Sequence, residues 1–184
     1  MNGDFELARP ERATVGTVGP VGERMFLLQV REGATLLTMK IEKAQVSALA
    51  RYLGRLLGEL DRPGDLPTGG AMDLEDFDEP DFVVGALGVN YDGALDRVVL
   101  VVDEIGRRGD DDDDLFGLSS GSEPDEGGGA SARLALSREQ AAALAIKGTE
   151  LVEAGRPPCP LCGYPLDPRG HVCPRTNGHR PPLT

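Results

Sequence analysis

No tryptophan occurs in this chain of 184 residues, and five Phe and three Tyr are its only aromatics. A core built from it must be aliphatic. Histidine and cysteine are as scarce: His171, His179, Cys159, Cys162 and Cys173 are all there are, and every one lies beyond residue 158. The rest of the chain therefore has no Cys/His or Ser/His/Asp set for nucleophilic catalysis. It also has no GxxxxGK[ST] loop to cradle phosphates. Long hydrophobic runs are missing too. The longest uninterrupted run of Val, Leu and Ile is Val98–Val102, far too short to cross a bilayer. Met1–Arg12 has no apolar core of the signal-peptide kind, so the expected location is cytoplasmic and no membrane partner is expected. Positive charge is short as well. With 19 Lys and Arg against 31 Asp and Glu the net charge is −12, which argues against non-specific binding of nucleic acid or anionic membrane by the bulk surface.

That charge is unevenly spread. Residues 156–184 carry Arg156, Arg169, Arg175 and Arg180 against Asp167 alone, a formal +3, which leaves −15 for the remainder of a chain whose total is −12. One end is mildly basic and the rest strongly acidic.

Two stretches read as copies of one β-β-β-α unit, about residues 13–60 and 82–154. The first has strands at Ala13–Gly19, Arg24–Arg31 and Thr35–Ile41 and a helix over about Glu42–Leu60. The second has strands at Phe82–Gly88, Arg97–Glu104 and Ser131–Leu136 and a helix over about Ser137–Ala154. Val15, Gly16 and Gly19 align with Val84, Gly85 and Gly88. In the helices Gln45, Ala48, Leu49 and Ala50 align with Gln140, Ala143, Leu144 and Ala145. The offset between copies grows along the chain, and each increase falls in an expected loop, as in a duplication with insertions. Chance similarity of Ala/Val/Gly-rich segments is the alternative.

The helices rest on periodicity. Val46, Leu49, Ala50, Leu53, Leu57 and Leu60 form one apolar stripe, and Ala141, Leu144, Ala145, Gly148, Leu151 and Val152 form another. Ser137-x-x-Gln140 has the form of a capping box, which sets the start of the second helix. Each stripe needs a surface to cover, and three short strands before each helix supply one. The expectation is an α+β domain over residues 1–155, an antiparallel sheet with two helices on it. Whether the repeats form one sheet or two stays open.

Two segments interrupt the pattern. Residues 61–80 are rich in Pro, Gly and acid and read as a linker between the repeats. Residues 109–130 include five consecutive aspartates, Asp110–Asp114, and a Ser/Glu/Gly-rich tract. Like charges repel and little there can be buried, so an acidic disordered loop is expected.

From Arg156 the texture changes to RPPCPLCGYPLDPRGHVCPRTNGHR. Cys159-x-x-Cys162 has the spacing that lets two thiolates grip one ion. Gly163 permits a tight turn after it. Asp167-Pro168-Arg169-Gly170 reads as a type I turn that folds His171 and Cys173 back towards the first pair. Four seats have five candidates: Cys159, Cys162, Cys173 and His171, with His179 as the alternative to His171. A soft, tetrahedral set of three sulfurs and a nitrogen selects zinc. Leu161, Tyr164, Leu166 and Val172 are the only sizeable apolar side chains near it, so this zinc-ribbon-like module over 156–184 needs the metal to fold. A structural role is favoured, because a catalytic zinc keeps a position open.

The segments RPERATVGTVGPVGERMFLLQVREG, IEKAQVSALARYL and above all RPPCPLCGYPLDPRGHVCPR resemble an uncharacterised actinobacterial family, domain of unknown function 3090. The likeness covers nearly the whole chain apart from the acidic loop. It implies that Cys159, Cys162, His171 and Cys173 fill the tail pattern. It also implies a genomic association with kinase-like and histidine-phosphatase-like proteins, and no known activity.

Together these readings favour a non-enzymatic, zinc-stabilised adaptor with a protein partner. An enzyme acting on a phosphorylated or nucleotide-like substrate is the alternative from another class, its small molecule unspecified. A nucleic-acid-binding zinc ribbon ranks last, since four arginines and one Tyr make a thin footprint beside an acidic body.

Overall fold

The computed structural model describes residues 3–20, 22–106, 129–155, 159–162, 173 and 175. Seven strands form one sheet with two helices against it: β1 (Asp4–Leu7), β2 (Arg12–Val18), β3 (Met25–Glu32), β4 (Thr35–Ile41), α1 (Lys43–Gly58), β5 (Phe82–Asp92), β6 (Arg97–Glu104), β7 (Ser131–Leu136) and α2 (Arg138–Glu153). The sheet order is β1-β7-β6-β5-β4-β3-β2. The α+β class stands, and one sheet takes both meanders. The expected antiparallel sheet is corrected to a mixed one: β4 and β5 pair in parallel, as do β1 and β7. The reason is topological. Between the antiparallel β4 and β5 of a hairpin only a tight turn is needed, whereas here α1 and the residues after it carry the chain back before β5 starts, so β5 enters in the direction of β4.

The inner face follows the two-residue period of a strand. Ala13 and Val15, Phe26, Leu28 and Val30, Leu37, Met39 and Ile41, Val98, Leu100 and Val102, and Leu134 and Leu136 all point into one core with Val46, Leu49, Leu53 and Leu144 from the helices. The aliphatic core expected from the scarcity of aromatics is present. The helices pack on each other, and Gly148 marks their close approach. A Cβ there would lie 3.3 Å from Ala50 Cβ and 3.4 Å from Val46 Cγ1.

β5 needed a device the pattern did not announce. Phe82 and Val84 face the core before Gly85, while Leu87, Val89 and Tyr91 pack on it afterwards, a change of parity. The β5–β6 register breaks between Val84 and Ala86, so the odd residue is taken up in a bulge. Gly85 fits because a Cβ there would sit 2.7 Å from Ile105 Cα. The strand then runs on to Asp92, four residues beyond its expected end at Gly88.

β1 is a strand the periodicity missed. Leu7 is its one buried residue, too few to show an alternation. Its position has a consequence for the whole sheet. β1 and β2 occupy opposite ends of the strand order, yet only residues 8–11 join them. Six interstrand spacings of a flat sheet measure about 29 Å, and five Cα steps reach at most about 18 Å. The sheet must therefore curl, and it does so around the helices. α2 touches β2 as well as β6 and β7, and Gln140 Nε2 donates to Pro10 O at 2.7 Å in the β1–β2 connection.

Residues 61–80, expected as a linker, connect the two meanders as an ordered strap. Thr14, Gln29 and Thr38 are the buried polar residues of the domain, and they form one cross-strand row on the outer face of β2, β3 and β4. The strap meets the first two, and the residue just after it meets the third. Thr14 Oγ1 donates to Met72 O at 2.5 Å. Gln29 accepts from Glu75 N at 2.7 Å and donates to Glu75 O at 3.1 Å. Thr38 N donates to Asp81 Oδ2 at 2.8 Å. A 3₁₀ turn at Gly69–Met72 lies against edge strand β2, which protects that edge from pairing elsewhere. Polar groups of the sheet order this acidic segment together with apolar contacts, Met72 being buried and Leu74 lying on Gly16.

Of the expected disordered loop, 109–128 lie outside the described residues. Its last two residues are placed: Ala130 is buried, and its N–H donates to Glu104 Oε2 at 2.8 Å. No helix among the described residues is long and apolar enough to cross a membrane.

Candidate metal centre

The path to the cysteines starts at the end of α2. Both helices open with the same clamp. Glu42 N donates to Gln45 Oε1 at 2.9 Å and Ser137 N to Gln140 Oε1 at 2.9 Å, while Gln140 N donates to Ser137 Oγ at 3.2 Å. The capping box read from Ser137-x-x-Gln140 is formed. At the far end Ala154 caps α2, its carbonyl accepting from Arg24 Nη1 at 3.3 Å. A Cβ on Gly155 would lie 2.8 Å from Lys43 Nζ. The chain thus leaves the domain between two cations.

Cys159 is followed by a turn over residues 160–162. The backbone N–H of Cys162 and then that of Leu161 donate to the Cys159 sulfur and hold its thiol below the ordinary value. Burial opposes this, and thiol hydrogen bonds from Cys162 and Cys173 add to it. This is what the C-x-x-C spacing does locally: the chain wraps the first sulfur with its own N–H groups, so a thiolate there is stabilised before any cation arrives.

Cys173 arrives from fourteen residues on in the numbering and completes the group. The three Sγ atoms lie within 4.8 Å of one another. Cys159 and Cys173 are buried and Cys162 is half-buried. A zinc–sulfur distance of about 2.3 Å at tetrahedral angles places sulfurs ~3.8 Å apart, so the trio fits three corners around one ion. None of the three is joined in a disulfide. Among the described residues they are the group of His, Cys, Asp or Glu that could hold a metal ion. His171 and His179 lie outside the described residues.

Two polar constellations that the sequence reading did not single out prove to be braces. Arg31 meets both Glu75 oxygens through Nε at 2.9 and 2.8 Å and through Nη2 at 2.6 Å, and Arg12 joins at 3.5 Å. The Arg31 guanidinium holds the Glu75 carboxyl below the usual carboxylate range. Elsewhere Tyr91 Oη donates to Asp96 Oδ1 at 2.6 Å, which raises the Tyr91 phenol. Arg138 bridges Asp96 at 3.1 Å to the Asp61 carbonyl at 2.9 Å. Each ties the strap to the domain. No periodicity marks such residues, because Arg31 lies 44 positions from Glu75 and Arg138 lies 77 from Asp61.

A family model described as "Protein of unknown function (DUF3090)" matches residues 5–173, and the chain belongs to that family. No curated protein and no solved structure matches it.

Proposed function

We propose that this DUF3090 protein is a non-enzymatic interaction protein whose C-terminal tail is pinned by a structural zinc ion. The observation that carries the reading is the convergence of Cys159, Cys162 and Cys173 within 4.8 Å. Three thiolates and one imidazole make a closed, soft, tetrahedral site of the kind zinc fills. His171 is the fourth ligand in this reading. The family match ends at Cys173, which takes in His171 and leaves out His179. The ion would supply the folding free energy that the few apolar side chains of the tail cannot.

The tail is the part offered to a partner. Its Arg156, Arg169, Arg175 and Arg180 follow directly on Arg24 and Lys43, which flank the exit of the chain from α2. Charge of one sign on an otherwise acidic molecule gives a partner a direction of approach. The partner is a protein with an acidic or phosphorylated face, and kinase-like or phosphatase-like proteins are the candidates the family likeness suggests. The domain that carries the tail is read as a duplication. What supports this is that Gln45 and Gln140 close the same clamp at the two helix starts after two three-stranded meanders.

Elemental analysis of protein purified without added metal tests the site, with about one zinc per chain expected. His171→Ala should then lose the ion to a competing chelator and His179→Ala should keep it. Reversed losses would move the ligand to His179. A chain with no zinc and three freely titrating thiols would remove the proposal.

A further inference from the structure

We infer that the cysteine trio is a peroxide-responsive switch, in which Cys162 is oxidised first and joins Cys159, so that the bound ion is given up. The inference rests on the metal-site reading and adds its regulation. The three sulfurs differ in access. Cys159 is 5% exposed and Cys173 fully buried, while Cys162 alone is half-buried. An oxidant from solvent therefore meets Cys162 first. Its partner is near: Cys159 lies three residues before it, and the three Sγ atoms lie within 4.8 Å of one another. These are the chain's only cysteines, so a disulfide within the chain must form among them.

The chemistry balances with one hydroperoxide. The Cys162 thiolate attacks a peroxide oxygen, a sulfur–oxygen bond forms, the O–O bond breaks, and hydroxide leaves. Sulfur has lost two electrons to the peroxide. The Cys159 thiolate then attacks the Cys162 sulfenic sulfur, a sulfur–sulfur bond forms, and a second hydroxide leaves. Both hydroxides pass to the solvent, where the buffer protonates them, so two thiolates and one peroxide give one disulfide and two hydroxide ions. The pair of negative charges that two thiolates supplied is gone, and with it two of the four donors. Cys173 and one histidine cannot hold a divalent ion with comparable affinity. A thiol reductant reverses the sequence by exchange.

The test uses the full chain with its zinc content measured beforehand. Hydrogen peroxide is added while released zinc is followed with a chromogenic chelator, and peptide mass mapping locates the oxidised sulfurs. The expected result is loss of about one zinc per chain together with two of the three thiols, a Cys159–Cys162 disulfide, and recovery of both on adding dithiothreitol and zinc. A chain that holds no zinc at the outset overturns the metal reading and the switch with it. A zinc-loaded chain that keeps its ion and three thiols overturns the switch alone. So does sulfinic acid at Cys162 without a disulfide, since that is damage and does not reverse.

Discussion

Gln29→Met separates an ordered strap from a mere linker. Gln29 is 2% exposed, and its amide makes three bonds: to Thr38 Oγ1 at 3.0 Å, from Glu75 N at 2.7 Å and to Glu75 O at 3.1 Å. Methionine keeps nearly the same volume and length, so no cavity opens and the loss is that of the hydrogen bonds. Each buried group left without a partner costs about 1–3 kcal/mol. Thr38 is 1% exposed, and its hydroxyl oxygen loses the donor it had in Gln29 Nε2. Glu75 keeps some contact with water, its side chain being 24% exposed. A total of about 2–4 kcal/mol follows, which lowers the thermal midpoint of a chain this size by roughly 6–12 °C. Hydrogen exchange supplies the local readout, since the Glu75 amide should lose protection before the amides of β3 do. Thermal unfolding followed by circular dichroism supplies the global one. A midpoint within about 1 °C of the parent protein, the result for substitution beside a solvated linker, would refute the strap as a layer of the fold.

Three further outcomes follow from the same contacts. Gly85→Ala should cost about 1–3 kcal/mol, as overpacking does, because its Cβ would meet the Ile105 backbone at 2.7 Å; an unchanged denaturant midpoint would show that the bulge relaxes freely. Glu75 has a folded-state pKa below its unfolded value because Arg31 donates to it. Its contribution to stability is therefore fully present above pH ~4.3 and lost as pH falls through the lower folded value. Glu75→Gln should flatten the stability profile on the acid side of that pH, and a parallel profile would contradict it. Removal of residues 109–128 with a short Gly-containing join should shift the thermal midpoint only slightly, since closure cost grows slowly with loop length; loss of a cooperative transition would overturn that expectation.

What the sequence disclosed and what it withheld divide along one line. The helices and six of the strands were legible because their signal is local. A buried stripe such as Val46, Leu49, Ala50 and Leu53 repeats within a window of a few turns, and Ser137 and Gln140 cap within three residues. The cysteine trio was legible for the same reason in its first half, since Cys159-x-x-Cys162 is a local spacing. The strap was not. Its order comes in part from Thr14, Gln29 and Thr38 on three strands, each 40 to 60 positions from its partner, and composition alone made those residues of the strap look like spacer. β5 misled in another way: its bulge at Gly85 reverses the alternation, so a strict period of two ends the strand too early. The mixed sheet was missed because strand direction depends on the path between strands, which no pattern within a strand records.

The positions of the clamps bear on where the folded domain ends. Gln140 holds the Pro10 carbonyl, Arg138 the Asp61 carbonyl, Glu139 the Gly64 amide at 2.9 Å, and Lys147 the Met72 carbonyl. All four start on α2 and reach back to segments before β5. Together they fasten the last helix to the edge of the sheet, to the strap and to the β1–β2 connection, with Gly148 seated against α1. Each is complete before the chain reaches Cys159. A domain fastened in this way is expected to keep its fold in a chain cut before Arg156, which circular dichroism of the truncated protein checks; a truncated chain that does not fold would overturn that expectation.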